Sequence, residues 1–389
     1  MTLENLTINE PDWFVQKRLT ALGLADKLPL PTMQRFDFHN WQLTPPTRTI
    51  IKTNIASPDN YILMDLFDAS NEYPDLVQKY LYSIIKADEN KLMAYHAAFV
   101  NHGVFLYVPK NTVIEKPIEL ELQQDSSQPF VSHVLVVAGE NSKFSLIQKT
   151  TTKGNQASVA NCVVEIKALT NSEIKYAAVD ELGQNVTSYL SRRADVDRDA
   201  YVDWSIGLMN EGNTVADFDT DLKGTGAHSE IKVVDITAGK QLEGVNTRVT
   251  NYGKKTIGNI NQRGVITDHS RLIFNGIGHI IKGASGANAE QQNRVLMMSS
   301  HAHGDANPIL LIDENDVLAG HAASVGQVDQ NQLYYLMSRG LDKKTAQRMV
   351  IRGFLGDVLV SIPSKAIREQ LVQTIERKLA NGQEISENS

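Results

Sequence analysis

The chain has 389 residues, 42% hydrophobic and 21% charged, the balance of a folded globular protein with room for two or three domains. A formal net charge of −7 excludes the broad basic field of a general nucleic-acid binder. A single cysteine, Cys162, excludes an internal disulfide and a four-thiolate iron–sulfur cage built by this chain alone. The opening Met1-Thr2-Leu3-Glu4-Asn5-Leu6 lacks the basic and apolar regions of a signal peptide, and no run reaches the roughly 18 apolar residues of a membrane span. A cytoplasmic protein is expected, with neither membrane nor nucleic acid as partner.

The first hundred residues read as an N-terminal helical and irregular domain (1–100). Pro11-Asp12-Trp13-Phe14 opens a helix with Trp13, Leu19 and Leu22 on one face. Pro29, Pro31 and Pro45-Pro46 then predict an extended connection from Pro29 to Ile55. A second helix is expected over Pro74–Lys86, with Leu76, Tyr80, Leu81, Ile84 and Ile85 at helical spacing. Trp13 and Trp41 are expected to serve packing.

From about Val104 to His321 helical periodicity gives way to β-branched residues alternating with polar ones. One phrase recurs: a short polar residue, a small residue, then alternating apolar positions. It begins weakly at Asn111, is clear at Asn141, Asn171 and Asp199, and is read again at His228 and His269, with spacings of 30, 30, 28, 29 and 41. A second strand lies between successive phrases, as in Ser158–Ile166 and Val245–Val249. A polar residue that turns the chain, followed by every second side chain pointing into a shared core, is what one coil of a stacked β structure requires. The repetition favours a β-solenoid, here 101–323, over a sandwich, which gives regular short strands without a recurring phrase. Cys162 lies on such a strand beside Val163 and Val164 and reads as a small buried hydrophobe.

The tail, 324–389, is helical. Asp329 can cap a helix, with Gln332 at capping-box distance and Leu333, Leu336 and Met337 as its stripe, ending at Gly340. Asp342 can cap a second, carrying Ala346, Met349, Val350 and Phe354 and ending before Pro363. Ser364 starts a third, with Ile367, Leu371, Ile375 and Leu379 at four-residue spacing, stopping near Gly382. This unit is expected to cover the open last coil or to offer a face to a partner.

The chain has no phosphate-binding Gly-x-x-x-x-Gly-Lys-Ser/Thr loop, no His-Glu-x-x-His, no Gly-x-Ser-x-Gly and no Cys-x-x-Cys. Gly276-Ile277-Gly278-His279 and Gly283-Ala284-Ser285-Gly286 read as turns between coils. Asp217, Asp219 and Asp221 alternate onto one strand face and are expected to be solvated, though sugar-cleaving solenoids use such clusters. His301 and His303, two apart, would point the same way in a strand and could share a metal, yet two ligands are too few for a closed site. His321 sits where solenoid meets tail, between Gly320 and Ala322. Small neighbours leave its imidazole accessible as an iron ligand, against the plainer reading of a hydrogen-bonded hinge histidine.

Several of these stretches resemble the SufB/SufD family of iron–sulfur cluster assembly proteins, and its SufD branch in Gram-positive bacteria most. Gly320-His321-Ala322-Ala323-Ser324-Val325-Gly326-Gln327-Val328-Asp329, Leu333-Tyr334-Tyr335-Leu336-Met337-Ser338-Arg339-Gly340-Leu341 and Arg348-Met349-Val350-Ile351-Arg352-Gly353-Phe354 with Asp357-Val358 are similar to the family's closing segments. Gly103-Val104-Phe105-Leu106-Tyr107-Val108-Pro109-Lys110 resembles its entry into the solenoid, and Pro11–Phe14 through Lys27–Thr32 its Gram-positive N-terminus. The resemblance implies a mainly β fold: a right-handed parallel β-helix core flanked by N-terminal and C-terminal helical domains. It implies a non-catalytic scaffold subunit of a SufBCD complex that pairs with SufB through the β-helix and binds the ATPase SufC through the C-terminal helices. The SufC-facing residues would be Leu333, Tyr334, Leu336, Arg339, Met349 and Phe354. His321 matches the family histidine that helps hold the nascent cluster, shared with SufB; the isolated chain would carry no cofactor. Ala319 stands where many relatives have a cysteine, and Ala322 where SufB has a glutamate. A reduced flavin at the level of the complex stays open. Two alternatives stand beside this reading: a self-sufficient SufB-like cluster scaffold and a carbohydrate-active β-solenoid enzyme.

Overall fold

The computed structural model describes residues 10–47, 49–53, 58–361 and 365–387, without the side chains of 357, 358, 361, 366, 367, 370 and 380–387. The expected helix start at Ser364, the stop at Pro363 and the packing of Ile367 lie outside the described residues.

Among the described residues, seventeen strands form two sheets. The nine-stranded sheet contains, in spatial order, β1 (Ile62–Asp65), β2 (His102–Val108), β4 (Phe130–Ala138), β6 (Ser158–Ala168), β8 (Val186–Val196), β10 (Thr214–Leu222), β12 (Leu242–Asn251), β14 (Arg271–Ile280) and β16 (His303–Ile312). The eight-stranded sheet runs β3 (Ile118–Asp125), β5 (Lys143–Lys153), β7 (Glu173–Glu181), β9 (Tyr201–Leu208), β11 (His228–Thr237), β13 (Ile257–Ile266), β15 (Asn288–Met297) and β17 (Leu318–Gln327). Every pairing is parallel except β1 with β2. Consecutive strands alternate between the sheets, so the chain coils as a parallel β-solenoid. Alternate residues of both sheets fill one lumen, including Phe144, Tyr176, Trp204, Phe218, Ile231 and Phe274.

The recurring phrase is a corner. Asn111, Asn141, Asn171 and Asp199 all adopt left-handed backbone, with φ of 60°, 57°, 57° and 55°. Gly226, Lys255 and Gly286 continue the column at φ of 72°, 55° and 74°. Asn and Asp tolerate this region better than other side chains, and Gly tolerates it freely. The backbone N–H of each corner residue donates to a carbonyl in the next coil, and Asn171 to Asn141 to Asn111 form a side-chain amide ladder at 2.8 Å per step. Two expected members fall elsewhere. His228 is two residues past the corner glycine Gly226, and His269 leads into β14 in the opposite sheet. Gly276 and Gly278 lie within β14 rather than in a turn, whereas Gly283 and Gly286 do turn the chain, at φ of 98° and 74°.

Both outer faces are covered by the chain itself. Across the nine-stranded sheet runs the N-terminal layer. Helix α1 (Asp12–Ala25) buries Phe14, Arg18, Ala21 and Ala25, while Leu19 of the expected stripe is exposed. Buried Arg18, held by Glu10 and by the carbonyls of Ala98 and Val100, takes the place of an apolar contact. The extended connection packs Met33, Phe36 and Phe38 on Val163, Tyr189, Val215 and Ile273, with Trp41 against the same cluster and Trp13 against that of α1. After α2 (Leu66–Glu72), α3 (Pro74–Tyr80) ends six residues before the expected Lys86. The backbone N–H groups of Tyr82, Ile84 and Ile85 instead donate to the buried Glu165 carboxylate on β6, at 2.7–2.8 Å. Helix α4 (Lys91–Phe99) is buried all round after its first residue, so it carried no amphipathic signal.

Across the eight-stranded sheet lies the tail: α5 (Gln330–Ser338), α6 (Lys343–Ser361) and α7 (Lys365–Glu387). Asp329 caps α5 through Asn331 N, Asp342 accepts from Thr345 N, and Gly340 ends α5 at φ 91°. Helix α7 runs through Gly382 to Glu387, since one internal glycine costs a helix only about 1 kcal/mol. Ile351, Leu355, Leu371, Ile375 and Leu379 bury against Ile147, Val179, Val234, Ile236 and Val265. The long helices therefore cover the flank of the solenoid and leave its last coil bare.

Candidate functional site at the open coil

Among the described residues, strands β16 and β17 are the last of their sheets, each paired on one side only. Almost every residue of β17 is exposed, as are Leu311 and Ile312 at the end of β16. An unpaired strand edge presents backbone donors and acceptors ready for another strand. Here two edges lie side by side with an apolar rim: Leu318 is 71% exposed, Leu311 46%, Ile312 44% and Val325 40%.

His321 lies in mid-strand on β17, opposite Gln291 of β15. Strand alternation puts it, with Ala319, Ala323 and Val325, in register with the lumen-facing Ala289, Gln291, Asn293 and Val295. It is exposed, and no hydrogen bond or ion pair holds it among the described residues. The hinge-histidine reading fails for that reason: the residue is neither at a hinge nor hydrogen-bonded. Beneath it the lumen becomes polar. Gln291 donates to Ile309 O at 2.8 Å, while Gln291 Oε1 and both amide atoms of buried Asn293 lack partners. Gly276 leaves room for these amides, since a Cβ there would lie 2.5 Å from Gln291 Oε1 and Asn293 Nδ2. No sequence motif marked Gln291 or Asn293, and Gly276 stood out only in a glycine stretch read as a turn; alternation in β15 was the signal that could have found the two amides.

The other histidines do not join His321. His301 stacks on His269 of the preceding coil with ring centroids 4.9 Å apart, and His303, in β16, faces Asp305 at 3.6 Å. Among the described residues no group of three or more His, Cys, Asp or Glu is placed to hold a metal ion. Cys162 faces the lumen far from the open coil, and burial raises its thiol to about 12, with Asp180 adding to the shift and Arg192 opposing it. Asp217, Asp219 and Asp221 are not a solvated trio. Arg193 contacts Asp217 and Asp219, and Arg248 also pairs with buried Asp219, so the cluster is an ion-pair network under Glu89 of the N-terminal layer.

Of the tail residues, Leu336 and Met349 line one groove of about 520 Å³ with Gln332, Tyr335 and Val350. Met349 and Phe354 line an adjoining one, about 480 Å³, that reaches Leu296 and Gln327 at the ends of β15 and β17. Leu333 is buried between α5 and α6, Tyr334 projects into solvent, and Arg339 lies over the Tyr335 ring. Phe354 sits under Arg263 with its back to the solenoid. Tyr335, rather than its neighbour Tyr334, faces the groove.

These features define a class: a filled parallel β-solenoid sheathed on both faces by its own chain, with one uncapped, histidine-bearing end. The family model described as SUF system FeS cluster assembly, SufBD core domain, matches residues 121–354, and that of the SufBD protein N-terminal region matches 48–120. The chain belongs to this SufB/SufD family of the SUF iron–sulfur cluster assembly system. It is 40% identical to the iron-sulfur cluster assembly protein SufD of Bacillus subtilis (strain 168), over 95% of each chain. It is 23% identical to an iron-sulfur cluster assembly SufBD family protein of Staphylococcus epidermidis (strain ATCC 12228), over 91% of this chain and 87% of that one. Among the described residues no helix is long and apolar enough to cross a membrane.

Proposed function

We propose that this chain is the SufD-type subunit of a cytoplasmic SufBCD scaffold, pairing with SufB through the open coil and with the ATPase SufC through the α5–α6 grooves. The observation that carries this reading is the double unpaired edge of β16 and β17. A second solenoid ending the same way can continue both sheets at once, burying Leu311, Ile312, Leu318 and Val325. His321 would then lie at the junction and offer one imidazole ligand to a nascent cluster, the cargo of the assembly, with thiolate ligands supplied by SufB. The chain does no chemistry alone. Its grooves, shared between the tail and the ends of β15 and β17, give SufC a handle mechanically continuous with the coil that carries His321.

Co-expression of the tagged chain with SufB and SufC of the same organism tests the assignment. A three-protein complex is expected. Deleting 329–380 should release SufC and keep SufB, whereas the double substitution Leu318→Lys and Val325→Lys should do the reverse. SufC retained by the deletion variant, or SufB binding indifferent to the edge substitutions, overturns the placement. A brown, cluster-bearing isolated chain after anaerobic reconstitution would instead establish a self-sufficient scaffold.

A further inference from the structure

Lys378 on α7 is a buried lysine that neither the open coil nor the grooves use. Its ammonium donates to the carbonyls of Asn210, in the corner after β9, and of Ile236, near the end of the neighbouring strand β11. Asp235, the residue before Ile236, and Glu243 are fully buried on β11 and β12, and Gln241 Nε2 ties Glu243 to this seat by donating to both Asn210 O and Glu243. The described residues show no direct ion pair between the ammonium and either acid. Glu243 accepts a hydrogen bond from Gln241 Nε2 at 2.8 Å, and the Asp235 and Glu243 carboxyls are within hydrogen-bonding reach of one another. Two buried carboxyls facing one another are not both ionised, and one ammonium balances only one negative charge, so the second acid holds a proton.

We infer that Lys378 and the Asp235–Glu243 pair form a proton-controlled latch that fastens α7 to the flank of the solenoid and loosens it on acidification. The rest of the seat is apolar and indifferent to pH. Leu371, Ile375 and Leu379 bury on the sheet, and Gly207 of β9 leaves room for Leu371, which would lie 3.1 Å from a Cβ there. The latch alone carries the proton dependence.

Seating α7 brings the ammonium to the acid pair and favours its ionised form, so seating releases a proton and strengthens as pH rises. At low pH both acids are neutral and the buried ammonium has no counter-charge. Burial raises both Asp235 and Glu243, the Asp235 charge adding to the shift of Glu243 and Lys378 opposing both, which moves the change above the ordinary carboxylate range. Burial also lowers Lys378 itself, and this sets the alkaline limit. The other facing charges leave the sign unchanged. Asp180 is neutralised by two hydrogen bonds from Arg192, Arg377 leans on Glu181, and Glu211 adds only to the negative side.

Hydrogen–deuterium exchange of the full-length chain between pH 6 and 8, corrected for intrinsic exchange, reads the latch directly. Protection of peptides in α7 should fall toward the limit of about tenfold per pH unit that one linked proton allows, while peptides in β6 and β8 stay unchanged. Lys378→Met should abolish this pH dependence. Glu243→Gln, which keeps the lysine and leaves Asp235 as its sole partner, should move the transition to lower pH. A flat wild-type profile, a Lys378→Met profile matching the wild type, or an unmoved transition in Glu243→Gln overturns the proposal. If Lys378→Met also loses protection in β6 and β8, the Glu243→Gln shift decides.

Discussion

Removing the Glu165 carboxylate should detach the N-terminal layer from the solenoid. Three backbone N–H groups, of Tyr82, Ile84 and Ile85, end on its two oxygens, and His133 Nε2 lies 3.0 Å away with both side chains fully buried. Glu165→Ala orphans all three donors. Each buried orphan costs about 1–3 kcal/mol, and partial relaxation lowers the sum to about 3–5 kcal/mol. Glu165→Gln keeps one acceptor oxygen but turns an amide NH₂ toward the remaining donors, so it should cost roughly half as much. Trypsin under native conditions provides the assay, because Lys86 directly follows the segment that Glu165 holds and Lys91 lies just beyond it. When reclosing outpaces cleavage, the rate follows the open population, and about 4 kcal/mol corresponds to roughly a thousandfold acceleration. Cleavage of Glu165→Ala within tenfold of the wild-type rate would refute the reasoning, since it caps the contribution at about 1.4 kcal/mol.

Three further outcomes are expected. His321→Ala, at an exposed position without partners, should change stability by less than about 0.5 kcal/mol in urea titration while lowering cluster assembly by the reconstituted complex; unfolding instead would return the residue to a structural role. Gly276→Ala forces Gln291 and Asn293 aside and should cost about 1–3 kcal/mol, seen as a lower Tm; an unchanged Tm would show that the amides beneath His321 have space to move. Native Cys162, its thiol raised to about 12 by burial, should resist a thiol-reactive disulfide reagent at pH 8 and react at once in denaturant; rapid native reaction would contradict its place in the lumen.

Where the backbone needs a particular kind of residue, the sequence showed it. The column of left-handed corners favours Asn, Asp or Gly, and the run Asn111, Asn141, Asn171, Asp199 was readable as a repeat. The reading slipped where Gly226 and Lys255 fill the same corner, because a glycine carries no phrase and a lysine at φ 55° has no propensity to reveal it. Contacts across long sequence separations left no trace. Glu165 reaches a turn some eighty residues earlier, and the Asp217–Asp219 pair is neutralised by arginines on neighbouring coils. His321 was recognisable as an accessible imidazole from its small neighbours. Its position on an unpaired edge, over the half-satisfied Gln291 and the unpartnered Asn293 amides, required the coils to be stacked first.

Stacking also acts as a ruler. Cys162 is on β6 and His321 on the terminal coil, whose strand in the same sheet as Cys162 is β16. Five strand-to-strand steps separate β6 from β16, about 24 Å at about 4.8 Å per step. No rotamer change spans that gap, and shortening it would require unstacking whole coils. The only sulfhydryl of the chain is thus fixed beyond bonding distance of the His321 imidazole, so any thiolate that shared a metal ion with His321 would come from another molecule.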